Sequence, residues 1–186
     1  YEAAAFLIEN FKGKGLKTAA DTGHGLDLGA MAMEVANNYS DYKKKQKAIG
    51  NLDYAKLPCV NHPIFKGKDV NYDPREVFVQ GLFKDKGINN VFLDFYHSLV
   101  EALFKAKVSK NVYCVNIDAV IAVILLKVVW ADFNDGKMKE EDIESASFAT
   151  FLFGRMIGCA AEIEDHTSRG KNMDTRTPAS KCSYVG

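Results

Sequence analysis

The sequence predicts an all-α protein, and three observations carry that prediction. Apolar residues recur mostly with the 3.6-residue period of an α-helix rather than with the alternation of a strand. Only 4 prolines interrupt the 186 residues, and several periodic segments open with recognisable helix-start signals. With 47% hydrophobic and 26% charged residues, the chain is expected to form one compact domain, or two tightly joined subdomains, without disulfides.

The first half of the chain contains three predicted helices. Residues 1–12 place apolar side chains on one helical face, and they lack the charged start and cleavage site of a signal peptide. Residues 26–39 form the next helix, and the lysines at 43–47 are interpreted as a solvated helix end. Asp73 opens the third helix, because Pro74 follows in the first turn, where its missing N–H costs no hydrogen bond.

The second half contains three more. Residues 89–107 carry a regular apolar stripe and end in lysines, which the helix dipole favours. Another helix follows Asn116, and residues 139–167 begin with an acidic first turn. Short strands are expected only near 112–115. The connecting loops are predicted at 12–25, 49–72 and 132–137.

Charge and cysteine content limit the classes of partner. Lysine plus arginine equals aspartate plus glutamate at 24 each, so no net field directs the chain to nucleic acid or to an anionic membrane. The apolar run 117–130 is shorter than the roughly 20 residues of a membrane span and contains charges, which predicts a buried helix. The cysteines are scattered and suggest reduced thiols in a cytoplasmic protein. They are Cys59, Cys114, Cys159 and Cys182.

Two charged residues lie in apolar surroundings. Arg155 is flanked by phenylalanines and small residues, where a buried guanidinium would need an anion. Asp118 opens an apolar helix, where the dipole stabilises its charge and desolvation opposes it. Such a carboxyl group is a candidate for proton transfer. The structural alternative is that Asp118 only caps its helix and Arg155 pairs with an internal carboxylate.

Further candidates lie in loops. His62 is followed by Lys66, Lys68 and Arg75, and these groups near a helix start suit an anionic substrate. His24, between two glycines, is a second candidate, and a phosphate-binding glycine loop is a weaker interpretation of the same segment. Metal binding is not predicted. Cys59 and His62 have the spacing of half a zinc site, but Cys159 and His166 do not complete it. His97 and His166 remain unassigned.

The order of these motifs resembles the C-terminal half of citrate synthase, and within that superfamily it is most similar to the citryl-CoA lyase module of ATP-citrate lyase. The resemblance runs from about residue 24 to the end and is densest after residue 111. The motifs that carry it are His62, Asp73-Pro74-Arg75, Asn116-Ile117-Asp118 and Gly154-Arg155-Met156-Ile157-Gly158. It implies a citrate-synthase-like helical fold that dimerises, with residues 25–110 including a smaller coenzyme-binding subdomain. We expect the chain to be the C-terminal part of a longer module.

The resemblance also implies roles for the catalytic residues. His62 would interact with the hydroxyl or carbonyl oxygen of the oxaloacetate half, and Asp118 would exchange a proton with the acetyl methyl carbon. His24 matches the segment that polarises the thioester carbonyl.

The substrate-binding roles follow in the same way. Arg75 and Arg155 match arginines that hold citryl carboxylates, and Arg176 matches one that the family lends across a dimer interface. Lys66 and Lys68 either bind the phosphates of coenzyme A or are solvated loop charges.

The implied reaction is cleavage of citryl-CoA to acetyl-CoA and oxaloacetate, with citrate or methylcitrate synthesis as the alternative. A succinyl-CoA-synthetase-like part or subunit is an expected partner. One departure supports a different class of function: the family's Gly-x-Gly before the histidine is replaced by Cys59-Val60-Asn61. A catalytically inactive assembly module with the same fold is therefore the third hypothesis.

Overall fold

The computed structural model describes residues 1–17 and 25–169. It confirms the all-α prediction, since every regular element in this part of the chain is a helix. The helices are α1 (Glu2–Phe11), α2 (Leu28–Ala48), α3 (Pro74–Asp85), α4 (Val91–Lys105), α5 (Ile117–Asn134) and α6 (Glu140–Arg169).

The core forms around α4, which packs against α2 and α5, while α1 closes it from the N-terminal side. Four aromatic rings lie in contact at its centre: Phe11, Phe92, Phe95 and Trp130. Phe11 meets Phe92 edge-on with ring centroids 4.9 Å apart, and Phe92 meets Trp130 at 5.0 Å. Edge-to-face pairs of this kind add to the stabilisation that comes from buried area. Trp130 also donates its indole N–H to the carbonyl oxygen of Leu16, which fixes the chain after α1.

Helix α2 is longer than the apolar pattern predicted, because it continues beyond residue 39 to Ala48. Its core contacts come from Ala32 and Ala36, while its larger apolar side chains are only partly buried. Lys44, Lys45 and Lys47 are exposed, which matches the solvated helix end that was predicted, whereas Lys43 is half-buried and donates to the carbonyl oxygen of Val108 at 3.0 Å. Long unbranched side chains of this kind favour the helix even without burial.

The prediction that α5 is a buried helix holds for one side of the helix only. Ala119, Ala122 and Leu126 are fully inaccessible, whereas Val128 is 75% exposed. The apolar sequence therefore covers a core-facing side and also an outer side. The short strands predicted at 112–115 appear as isolated bridges, one antiparallel and one parallel.

Helix α6 contacts α1 and α5, and its first turns are buried at Ile143 and Ser147; near its other end, His166 is also buried. Most of its later apolar side chains are exposed, including Phe153 at 68% and Ile157 at 64%. Within the described ranges, residues 140–168 are the one helix long and apolar enough to cross a membrane. Arg155 lies near the middle of that segment, where a lipid interior is unfavourable for a charge.

Candidate functional site

One cavity of about 250 Å³ brings together four of the predicted site residues: His62, Arg75, Asp118 and Arg155. They come from a loop, the start of α3, the start of α5 and the middle of α6. Asn116, Ile117, Ile121, Thr150, Phe151 and Gly154 complete the lining. Two of the predicted site residues, His24 and Arg176, lie outside the described residues.

The segment before α5 brings the distant parts of the cavity together. The residues just before it bond to the loop that carries His62, because the Asn61 amide donates to the carbonyl oxygen of Cys114 at 2.8 Å. The same stretch also bonds to the segment before α3, because the Asn71 amide donates to the carbonyl oxygen of Val112 at 3.0 Å. One extended stretch therefore holds both the His62 loop and the start of α3 beside the start of α5.

Asp73 is the buried centre of this arrangement, with an exposed fraction of 0%. One carboxylate oxygen accepts from the Arg75 amide at 3.0 Å and from Nε at 2.9 Å, and the other accepts from Nη2 at 2.6 Å. The second oxygen also accepts from the Ile117 amide at 3.2 Å, so it ties α3 to α5. Burial alone would raise the pKa of Asp73, but the hydrogen bonds and charge of Arg75, with the Ile117 amide, hold it below its usual value.

Because of this pairing, Arg75 has a structural role in addition to its predicted role in ligand binding. The internal carboxylate that was considered as a partner for Arg155 is instead found beside Arg75. The Arg75 side chain is 30% exposed, so the guanidinium still lines the cavity. A bidentate pair fixes its plane in advance of any ligand.

His62 is held in one orientation by its neighbours. Its Nδ1 accepts a hydrogen bond from the Ile64 amide at 3.1 Å, and its ring stacks on Phe65 with centroids 4.6 Å apart. Because Nδ1 accepts, a neutral ring carries its hydrogen on Nε2. Desolvation, followed by the nearby charge of Arg75, lowers the pKa of His62 despite opposing effects from Asp73 and Asp118. His62 is therefore neutral at neutral pH, with Nε2–H as a donor.

Asp118 is not the cap of its helix, which excludes one structural explanation for it. Asn116 is the N-cap of α5, and its side chain accepts from the Asp118 amide at 3.2 Å. The half-buried Asp118 carboxylate accepts no hydrogen bond from a side chain or amide of the described chain. It lies in the first turn, where the helix dipole favours a negative charge. It also lies between the cavity of His62 and a second, adjoining cavity that contains Cys59.

The prediction that Arg155 is buried among apolar groups was wrong. Arg155 is exposed, as are Phe153 and Met156 beside it, so the apolar residues around it form a surface and not a core. Its guanidinium lies over the Phe151 ring at 5.1 Å. Within the described ranges, no carboxylate pairs with it. It remains a cationic group at the cavity, although burial does not force it to find an anion.

Lys66 and Lys68 are exposed and line a neighbouring cavity with Phe65 and Tyr72. The Lys68 ammonium lies 4.9 Å from the centre of the Tyr72 ring. Phe65 contributes to that cavity and also stacks on His62, so the two lysines are close to the His62 loop. Their role with coenzyme A phosphates stays a prediction.

The loop before His62 has an unusual backbone. Cys59 has φ of 59° and Asn61 has φ of 69°, a left-handed conformation that glycine adopts easily and other residues seldom do. The resemblance described above would place glycines at these two positions. Their left-handed backbone is one that glycines would permit. Burial, followed by the charge of Asp118, raises the pKa of the Cys59 thiol to about 12, so this cysteine stays a thiol.

Sequence reasoning missed the polar residues that organise the site. Asp73 was recognised only as a helix start and Asn116 only as a preceding residue. The Asp-Pro-Arg and Asn-x-Asp patterns are the signals from which both caps follow. No sequence pattern indicated that Thr150 would line the cavity. In the described ranges, no group of three or more His, Cys, Asp or Glu side chains is arranged to hold a metal ion.

His97 and His166, which the sequence left unassigned, lie outside this cavity. His97 contacts the buried Glu76 of α3 at 3.0 Å, which joins α3 to α4. His166 contacts Glu162 on its own helix at 3.2 Å. Both contacts are within the protein, so the cavity described above remains the place where the predicted chemistry converges.

The chain was compared with known proteins at three levels. No protein-family model, no curated protein and no solved structure matches it.

Proposed function

We propose that the cavity binds a small polycarboxylate and that the chain cleaves citryl-CoA to acetyl-CoA and oxaloacetate. The observation that carries this proposal is the meeting of His62, Asp118 and two arginines in one cavity of about 250 Å³. That size suits the polycarboxylate part of the substrate, and the coenzyme A part would extend beyond the cavity. The citrate-synthase-like fold and the citryl-CoA lyase branch are part of the same proposal, which rests on the order of the sequence motifs.

The arginines differ in what they offer to a carboxylate. Arg75 is fixed in place by Asp73 and presents a rigid edge. Arg155 is exposed, and within the described chain its guanidinium has a ring contact and no ion pair, so it can turn toward a second carboxylate. A ligand with several carboxylates would use both, and its binding would order the Arg155 side chain.

Cleavage requires two proton transfers. The tertiary hydroxyl gives its proton to Nε2 of His62 as the carbon–carbon bond breaks, which leaves the ketone of oxaloacetate, and the bond electrons move into the enolate of acetyl-CoA. Asp118, when protonated, gives its proton to the enolate carbon. Its place in the first turn of α5, without a hydrogen-bonding partner in the described chain, leaves the carboxyl group available for that step.

The tautomer of His62 favours the reverse reaction as a second candidate. To accept the hydroxyl proton, Nε2 must be unprotonated, which requires that the Ile64 amide release Nδ1. In the condensation direction the observed arrangement serves directly, because Nε2–H can donate to the ketone oxygen of oxaloacetate. Citrate or methylcitrate synthesis is therefore the alternative function.

Direct assay separates these functions. The full chain is incubated with citryl-CoA and, separately, with acetyl-CoA plus oxaloacetate, and free thiol and oxaloacetate are measured. We expect turnover of citryl-CoA. Turnover of the condensation pair at a greater kcat/KM would favour the synthase. The absence of turnover, together with no heat of binding from coenzyme A or oxaloacetate, would favour the assembly module.

The proton-transfer role has its own test in Asp118→Asn. This variant keeps the shape of the side chain, and we expect turnover to fall about 10²–10⁴-fold, the usual contribution of a general acid or base. Asp132→Asn, at the exposed far end of the same helix, is the matched control and should keep full activity. Full turnover in Asp118→Asn would reject the role.

Dimerisation through α6 belongs to the same proposal. Phe153, Met156 and Ile157 expose apolar surface, and no atom of the described chain lies within 4 Å of a Cβ added at Gly154 or Gly158. A second copy could therefore approach this helix closely and present Arg176 to the cavity. A cytoplasmic location and a synthetase-like partner complete the proposal.

A further inference from the structure

A separate cavity of about 280 Å³ is lined in part by Val60 and Asn61, in the loop that precedes His62. It is enclosed by α2, the end of α4 and residues 54–61. Three tyrosines line it, Tyr39, Tyr54 and Tyr113, together with Lys43 and Lys56. No aspartate or glutamate of the described chain is among its lining residues. The cavity thus combines aromatic rings with positive charge.

Part of this arrangement has a purely structural role. The Ala55 amide donates to the hydroxyl of Tyr42 at 3.3 Å, and the Leu57 amide bonds to Tyr39. Lys43 donates to the carbonyl oxygen of Val108 at 3.0 Å. These contacts hold the loop against α2, but they give no role to the Lys56 ammonium or to the open volume.

Asn61 adds an unsatisfied acceptor at the wall of the cavity. Its side-chain oxygen is buried and has no hydrogen-bond partner in the described chain. A buried acceptor without a donor is unfavourable. The oxygen has almost no accessible surface, so the Asn61 side chain must turn toward the cavity before the amino group of a ligand can supply the missing donor. A simple carboxylate or phosphate has no such donor.

We propose that this cavity binds a purine nucleotide, with the base among the tyrosine rings and the phosphates on the lysines. Tyrosine rings stack on bases of any kind, and lysine is a common point-charge ligand for phosphate. The side chain of asparagine forms hydrogen bonds with the amino edge of adenine. No residue that lines this cavity takes part in the proposed bond cleavage. Binding of a free nucleotide is therefore independent of the proposed function, whereas binding of the nucleotide half of coenzyme A rests on it.

Adenine nucleotide can come from two sources, a free nucleotide such as ADP or the nucleotide half of coenzyme A. Isothermal titration calorimetry of the full chain with ADP tests the site itself. We expect binding by the natural sequence and about tenfold weaker binding by Lys56→Met, which loses one charge-assisted contact. Lys47→Met, an exposed lysine of α2 that does not line the cavity, is the matched control.

Competition between ADP and coenzyme A then distinguishes the two sources of adenine nucleotide. Coenzyme A that displaces ADP identifies the cofactor's nucleotide as the occupant, whereas ADP binding that coenzyme A leaves unchanged identifies a free nucleotide. Either result supports the proposal. Inorganic phosphate that displaces ADP at equal concentration would reduce the site to a simple anion site and overturn it, as would UDP that binds as tightly as ADP.

Two further outcomes would also overturn the proposal: no heat with ADP and coenzyme A at millimolar concentration, or unchanged affinity in Lys56→Met. Circular dichroism verifies that each variant is folded, and the exposed position of Lys56 makes misfolding unexpected. Turnover of citryl-CoA without ADP binding would reject only the nucleotide site. ADP binding without turnover would reject only the proposed function.

Discussion

The two sides of the His62 cavity contain the same types of residue in different physical states. On one side, Arg75 is paired with the buried Asp73, and His62 is fixed by an amide and a ring. On the other side, Arg155 lies on an exposed helix with one ring contact. The first side is built by the folding of the chain. The groups of the second side are available to a ligand. Arg75 therefore stabilises the protein, whereas Arg155 is available to bind a ligand.

The largest expected effect is on the fixed side, in Asp73→Ala. This change leaves the Arg75 guanidinium and the Ile117 amide without their acceptor. Breaking a buried ion pair from one side typically costs about 3 kcal/mol of unfolding free energy, and we expect a loss of that size. Urea denaturation measures it. Asp69→Ala, an exposed neighbour in the same loop, should change stability by less than about 0.5 kcal/mol. Equal stabilities would contradict the central role of Asp73.

A smaller effect is expected from the pH dependence of stability. The pKa of His62 lies below its ordinary value of 6.5, mainly through desolvation, so the folded state binds a proton less readily than the unfolded chain. Its contribution to the unfolding free energy is therefore fully present above pH 6.5 and declines as the pH falls below that value. Urea denaturation at pH 7.5 and 5.5 should show this decline. The difference should shrink in His62→Gln, and an unchanged difference would assign it to other groups.

The smallest effect on stability is expected on the exposed side, in Arg155→Met. Methionine keeps an apolar stem over Phe151, so we expect a change below about 0.5 kcal/mol. The affinity for oxaloacetate, measured by calorimetry, should nevertheless fall about tenfold with the loss of one charge-assisted contact. Arg75→Met is the contrasting variant and should lose stability as well as affinity. If Arg155→Met binds oxaloacetate normally, the exposed side does not contribute to the ligand.

The helices were predictable because their apolar periods and caps are local. Asp73 and Pro74 fixed the start of α3, and the stripe of α4 matches its buried face. The length of α2 was not predictable from apolar spacing, because its last turns are polar and depend on propensity. Burial was also misjudged, since the apolar residues of α6 say nothing about whether another element covers them.

The chemical groups that line the candidate site could be predicted from the sequence, but the contacts between them could not. His62, Arg75, Asp118 and Arg155 were expected to converge, and they line one cavity. The Asp73–Arg75 pair is local, two residues apart, but its contact with the start of α5 depends on the bridge between residues 69–71 and 112. That contact joins segments about forty residues apart, and no local pattern in the sequence encodes it.

The left-handed residues before His62 have a consequence for ligand capture. A glycine at either position would enlarge the range of conformations open to the loop before it meets a ligand. Cys59 and Asn61 instead restrict that range while keeping the same curvature. The loop then loses less conformational entropy when a ligand binds, so the free energy cost of ordering it is smaller.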